Sequence, residues 1–394
     1  MHSFSSLARV SFVCALLLAA LPVREAGADA ASGTYTGSVA LRGNYYWENS
    51  TRVVAPSAAV SVAAPSGVRV EGSYLLDAIT SASTATGVII DKAFTEKRNE
   101  GHAGIGYEVD FGATQLDVVV RGRYSKEPDY LSRGVGFGAT LSLAQRNTLF
   151  HLNGYYIDDD VSKIVRGPTP GKPDRITAMR AERVGDLRAL SLGLSWDQVL
   201  SGATTLTLGY DLANLSGFQA NPYRMVMLSD GGMRAEAHPD KRSRHAGYLW
   251  LSHFVMRTRT ALKAGYRLYY DDWELLAHAP ELRLHQEIGG HVELRLRYRY
   301  YTQSSSYFFR PGSFTLSDPY VTRDPKMSRF QDQTFGVKVR VALDFLAFTK
   351  LDFLRATVLD WSIEYLLRHY DAVELPMNYG RYGLVAQGGM LVPF

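Results

Sequence analysis

The sequence predicts an all-β chain: a transmembrane antiparallel up-and-down β-barrel of about 16 strands, with both termini periplasmic. Three observations predict it. Apolar and polar residues alternate at period two through segment after segment, the repeat of a strand with one apolar face. Tight and long connections alternate along the chain. The last segment, Tyr382-Gly-Leu-Val-Ala-Gln-Gly-Gly-Met-Leu-Val-Pro-Phe394, has the pattern of a closing strand that ends on an aromatic residue. Such a strand pairs with the first and leaves no open edge. Met390, Val392 and Phe394 on its apolar face are the expected signal for the barrel-assembly machinery.

At the front, residues 1–28 have the pattern of a secretory signal peptide. Arg9 supplies positive charge, and the apolar run from Val10 to Leu21 is too short to span a bilayer. Ala26-Gly27-Ala28 offers a small-residue cleavage site before Asp29, with Ala28-Asp29-Ala30 as a second choice. Residues 29–394 are then expected to form the barrel as one domain. The single cysteine, Cys14, lies in the leader, so the barrel would hold neither a thiol metal site nor a cysteine nucleophile. No 18-residue apolar run follows the leader, which argues against a helical membrane protein. The 24 tyrosines and 35 glycines suit aromatic girdles and a packed barrel wall. A net charge of +4 gives no overall field to attract nucleic acid.

The strands follow in order. Val39, Leu41, Tyr45 and Trp47 oppose Arg42, Asn44 and Tyr46. Val68, Val70 and Tyr74 oppose Arg69, Glu71 and Ser73. Ile105, Tyr107 and Phe111 oppose His102, Glu108 and Asp110. Val118, Val120 and Tyr124 oppose Asp117, Arg121 and Arg123. Val135, Phe137 and Leu141 alternate with glycines, Thr140 and Ser142. Leu190, Leu192 and Leu194 oppose Ser191 and Ser195, and Leu206, Leu208 and Tyr210 oppose Thr207 and Asp211. Pro65-Ser66-Gly67, Gly112-Ala113, Gln145-Arg146-Asn147, Leu200-Ser201-Gly202, Arg257-Thr258-Arg259 and Ile288-Gly289-Gly290 mark tight turns on one side. Residues 344–355 are a longer turn on that side. Long loops are expected on the other side at about 78–95, 158–186, 215–243 and 303–331.

The strand 292–303 is unusual in its charge. Val292, Leu294, Leu296, Tyr298 and Tyr300 face one way; Glu293, Arg295, Arg297, Arg299, Tyr301 and Gln303 face the other. An arginine facing lipid near the midplane costs about 2–4 kcal/mol, so the charged face must line the lumen. Neighbouring strands add Lys263, Arg267, Arg283, Lys338 and Arg340. The eight cations form either an anion-attracting stripe or one half of an interior ion-pair lattice, with Glu281, Glu293, Asp360 and Glu364 as partners.

Catalytic and metal patterns are weak. Ser252 and His253 are adjacent, so a strand points them to opposite faces. His238-Pro-Asp240, and Asp271-Asp272 with His278, are ordinary solvated residues more often than a protease site. Asp158-Asp159-Asp160 offers oxygens for calcium but lacks an EF-type loop. No phosphate-binding loop, dinucleotide fingerprint or zinc spacing is present. No catalytic residue, metal or cofactor is expected.

Several stretches carry a resemblance: Phe94-Thr-Glu-Lys-Arg-Asn-Glu100, Ser125-Lys-Glu-Pro-Asp-Tyr130, Leu190-Ser-Leu-Gly-Leu-Ser-Trp196, Gly209-Tyr-Asp-Leu212 and Asn221-Pro-Tyr-Arg224. Clearest are Tyr266-Arg-Leu-Tyr-Tyr-Asp-Asp-Trp273 and Arg297-Tyr-Arg-Tyr-Tyr-Thr-Gln303. Along most of its length after the leader the chain resembles a porin-like outer-membrane barrel family of proteobacteria, grouped only as a domain of unknown function. The resemblance implies a barrel in the outer membrane and assigns no substrate or catalytic residue. Tyr266, Tyr270 and Trp273 are expected at the membrane interface. Asn221 to Arg224 would either constrict the pore or cap it. The function expected is a porin-like channel or transport-associated barrel for small polar or anionic solutes. A non-conducting scaffold or docking barrel is the alternative, and a barrel enzyme with rim residues comes third. The partners expected are outer-membrane lipid, the barrel-assembly machinery and small anionic solutes, with no nucleic acid.

Overall fold

A computed structural model describes residues 34–48, 51–81, 94–169, 172–371 and 381–394. The expected signal peptide lies outside them. Eighteen strands follow in chain order: β1 (Thr36–Glu48), β2 (Thr51–Ala63), β3 (Val68–Ser81), β4 (Phe94–Asp110), β5 (Gln115–Lys126), β6 (Tyr130–Leu143), β7 (Thr148–Thr169), β8 (Lys172–Ser201), β9 (Thr204–Gly217), β10 (Met225–Met227), β11 (Met233–Ala235), β12 (Lys241–Val255), β13 (Thr260–Asp271), β14 (Leu276–Ile288), β15 (Val292–Gln303), β16 (Phe330–Ala342), β17 (Val358–Tyr370) and β18 (Tyr382–Pro393). Sixteen of them close into one barrel, each antiparallel to its neighbours. β10 and β11 form a separate two-stranded hairpin between β9 and β12.

Closure is made by β1 against β18, in register from Ser38 opposite Pro393 to Glu48 opposite Gly383. Beyond the ladder, Gly37 and Phe394 exchange backbone hydrogen bonds of 2.7 and 2.9 Å. A side chain at Gly37 would collide with the Phe394 ring, 2.5 Å from its ideal Cβ. The terminal ring therefore packs against the backbone of β1 at Gly37. Met390 and Val392 lie on the same face of β18.

Period two sorts the side chains between two solvents. Val70, Ile105, Val120, Phe137, Leu194 and Ile363 all stand exposed on the outer face. A soluble sheet would bury such residues; a membrane barrel offers them to hydrocarbon. Arg69, Glu71, Asp117, Arg121 and Glu364 of these strands point inward and pair there.

The tight turns fall where the sequence puts them. Gly289 and Gly290, at φ of 63° and 84°, turn β14 into β15 in the left-handed region that glycine tolerates. The start of β1 and the end of β18 lie at this end of the barrel. One expectation is overturned at the other end. Residues 158–169 and 172–186 are strand rather than loop: they belong to β7 and β8, of 22 and 30 residues, which pair with register shifts at Val161/Ser162 and near Pro168. Strand alternation also splits the three aspartates. Asp159 takes the hydroxyl of Tyr130, while Asp158 and Asp160 point outward to Arg188 and to Arg133 and Arg183. They cannot converge on one cation.

Candidate lumen wall and bridged mouth

Six of the eight predicted cations have a carboxylate beside them. Arg297 holds Glu281 and Glu364, each at 2.8 Å. Arg283 also holds Glu281, at 2.5 Å, and Arg295 holds Glu293, at 2.6 Å. Arg340 reaches Glu293 at 3.7 Å, and Lys338 reaches Asp360 at 2.8 Å. Arg267 pairs with Asp211, at 2.8 Å, a partner the strand pattern alone did not single out. Lys263 and Arg299 differ: neither has a carboxylate within ion-pair distance among the described residues. Arg299 lies 5.2 Å from the centroid of the Tyr301 ring. Lys263 shares a recess of ≈ 370 Å³ with Arg146, Arg283 and Trp250, and with one carboxylate, Asp197.

Glycines position part of this lattice. Arg297 on β15 and Glu364 on β17 share no ladder; both sit opposite Gly336 on the strand between. An ideal Cβ on Gly336 would come within 3.2 Å of Glu364 and 3.3 Å of Arg297, so the missing side chain is the channel through which they meet. The device recurs. Glu71 on β3 and Arg121 on β5 bond across Gly104 of β4. Arg42 on β1 and Asp360 on β17 approach to 3.9 Å across Gly389 of β18.

The mouth opposite the start of β1 carries a folded cap. Residues 218–240, which include the β10–β11 hairpin, pack on the β15–β16 connection through Val226, Leu228, Phe314 and Val321, all buried. Isolated bridges join Leu228 to Phe314 and Ala237 to Val321. The Tyr223 hydroxyl donates to Asp129 in the β5–β6 connection and accepts from the backbone N–H of Ile164, at 2.8 Å. Arg224, the next residue, holds Asp324 of the β15–β16 connection at 2.5 Å. Those two connections sit eight strands apart in a sixteen-strand ring, on opposite sides. The segment Asn221 to Arg224 thus belongs to a bridge across the mouth.

Beneath it lies a buried charged cluster. The Glu236 side chain is 0% exposed and contacts Arg224 (3.4 Å), His238 (3.5 Å), the Thr322 hydroxyl and the N–H of Asn221 (3.3 Å). Burial pushes its carboxyl up, but the neighbouring His238 imidazole and Arg224 guanidinium outweigh that, and its pKa ends below the ordinary glutamate value. Asp271, also 0% exposed, takes Arg242 (2.5 Å) and the N–H groups of Trp273 (3.0 Å) and Leu275 (3.1 Å). Trp273 is not at the lipid interface: it is buried, with Arg242 3.9 Å over its ring and Phe308 edge-on at 5.1 Å. Its indole N–H donates to the Lys241 carbonyl at the start of β12, at 3.1 Å. Tyr266 and Tyr270 do stand outward, as expected.

The residues weighed for catalysis are not brought together. His253 faces outward to Thr204, at 2.9 Å, while Ser252 lines the inner recess. His278 bonds Tyr266 (2.5 Å), and Asp272 accepts from the N–H of Ser243 (3.0 Å). His238 belongs to the cap.

A closed, lipid-faced barrel with a charged interior defines the class: a transmembrane β-barrel of outer-membrane type. The chain belongs to the family described as "Protein of unknown function (DUF3570)", which matches residues 53–365. No curated protein matches it. Among solved structures it is similar to a bacterial polysaccharide outer membrane secretin, at 8% identity and a TM-score of 0.49, covering 92% of this chain and 99% of that one. It is also similar to OccAB1 of Acinetobacter baumannii, at 11% and 0.40, covering 91% and 96%. A third is the siderophore receptor PirA from Acinetobacter baumannii, at 9% and 0.46, covering 85% of this chain and 53% of that one. The chain spans about half the length of the siderophore receptors it matches. All three TM-scores fall below 0.5, so nothing about transport is taken from these likenesses.

Proposed function

We propose that the protein is an outer-membrane channel of a Gram-negative bacterium for small polar solutes, with a preference for anions. One observation carries this: among the described residues, Lys263 and Arg299 have no carboxylate within ion-pair distance on a wall whose other predicted cations are paired. Paired charges largely cancel at a distance, so the unpaired ones set the sign of the local field. The Lys263 recess, where Arg146, Lys263 and Arg283 outnumber the single carboxylate Asp197, would raise anion occupancy near the end of the barrel where β1 begins. The test is the reversal potential of the refolded barrel in a planar bilayer under a salt gradient. A potential of anion-selective sign, moved toward zero by Lys263→Ala with Arg299→Ala, is the expected result. Unchanged selectivity in that double variant would sink the proposal.

The bridged mouth favours a second reading, a barrel that conducts poorly and docks a partner through its cap. A folded barrel without conductance, in which loosening the cap restores current, would select that reading.

A further inference from the structure

The connection from β16 to β17 stands out at the end of the barrel where β1 begins and β18 finishes. The other connections there are tight turns. This one runs through residues 343–357 and repeats Leu-Asp-Phe-Leu, at 343–346 and again at 351–354. Both copies fold into short 3-10 turns, Leu343–Leu346 and Asp352–Leu354. Phe345, Phe348, Leu351 and Phe353 are all exposed, and the Phe348 ring is fully so, at 101%.

The segment is held, not loose. Leu343 donates to the Thr357 carbonyl at 2.9 Å, and Thr357 is buried. Asp344 bonds His291 of the β14–β15 turn at 2.6 Å, and the Phe345 ring meets the His291 ring edge-on at 5.7 Å. Phe348 sits at φ of 63°, a conformation that side chains rarely adopt. A built connection that accepts such a backbone in order to present four apolar side chains needs an apolar phase to receive them.

We infer that residues 343–355 form a foot that lies in the adjacent phospholipid leaflet. Continuity identifies the occupant. The foot joins two strands whose outer faces already carry Phe335, Val337, Trp361 and Ile363 to the lipid. The apolar band reaches this end of the barrel elsewhere too, at Phe111, Leu200 and Ile288. Charge agrees: Asp344 and Asp352 are engaged by His291 and Arg355, while Lys350 has no carboxylate within ion-pair distance among the described residues. Aromatic rings beside a free lysine suit the boundary between acyl chains and phosphates. The inference rests on the chain being a membrane barrel, not on what passes through it.

The test is a single nitroxide at Phe348→Cys, with Cys14→Ala in any chain that retains the leader. Because the Phe348 ring packs on nothing, the change should not disturb folding. The barrel is placed in vesicles of phosphatidylethanolamine and phosphatidylglycerol, and collisions with oxygen and with a water-soluble nickel chelate are compared. Ile363→Cys reports the lipid band and Lys263→Cys the aqueous interior. The expected result is an oxygen-to-nickel ratio at 348 raised to that at 363. A ratio at 348 equal to that at 263, with 363 still in lipid, would put the foot in water and overturn the inference while leaving the barrel intact. Shielding from both reagents, or spin–spin broadening between copies, would mean a protein partner or a second copy covers it and would also overturn it.

Discussion

Glycine sets how the inner charges meet. At Gly336 a β-carbon would stand closer to Glu364 and Arg297 than side chains normally approach. Gly336→Val should therefore part the Arg297–Glu364 pair. Overpacking of this kind costs about 1–3 kcal/mol. The check is thermal unfolding of the detergent-solubilised barrel, followed by its gel mobility before and after heating; an unshifted midpoint would remove the glycine from the argument. The cations themselves were legible in the sequence, because alternation forced them inward. Glu281, Glu293, Asp360 and Glu364 could be named beside them for the same reason. Asp211 could not be assigned to Arg267, since the register between β9, β12 and β13 depends on a loop that contains its own hairpin.

Two elements escaped period-two reasoning. The β7–β8 extension contains three consecutive aspartates, which read as a solvated loop until opposing arginines on β6 and β8 are placed beside them. The cap is held by contacts between residues 94 and 86 positions apart, Tyr223 with Asp129 and Glu236 with Thr322, and no local pattern encodes those. Two predictions belong to the cap. Trp273→Ala removes a buried ring, a change that costs about 3–5 kcal/mol in a packed core; the cap should become sensitive to protease while the barrel keeps its heat-dependent mobility. Glu236 has a depressed folded pKa, so its charge stabilises the cap above the ordinary glutamate range and that contribution is lost as pH falls through the depressed value. Acidification should thus loosen the cap, seen as faster protease cleavage within 218–240. Glu236→Gln should be loose already at neutral pH and respond less to acid.

For the whole molecule, the sequence carries the closed barrel well, because lipid outside and water inside enforce one alternation on every strand. It carries transport less well, because selectivity depends on the few charges left over after pairing. If the barrel is the channel proposed above, current measurements at rising salt should show its anion preference fading as the Debye length shrinks from about 30 Å at 0.01 M to about 3 Å at 1 M. A preference that survives molar salt would point to size selection at the bridged mouth instead.

The ion pairs that pass over glycines have a mechanical consequence. A hydrogen-bonded ladder ties each strand only to its two neighbours, so a wall made of ladders alone can open at any one seam. Glu71 with Arg121, Arg297 with Glu364, and Arg42 with Asp360 tie strands that share no ladder. A local opening within one of these triplets must break two ladders or an ion pair as well. Amide exchange should therefore release β3 to β5 as one block and β15 to β17 as another. The third block, β17, β18 and β1, makes the join between the first and last strands a stitched seam rather than the place where the cylinder unzips.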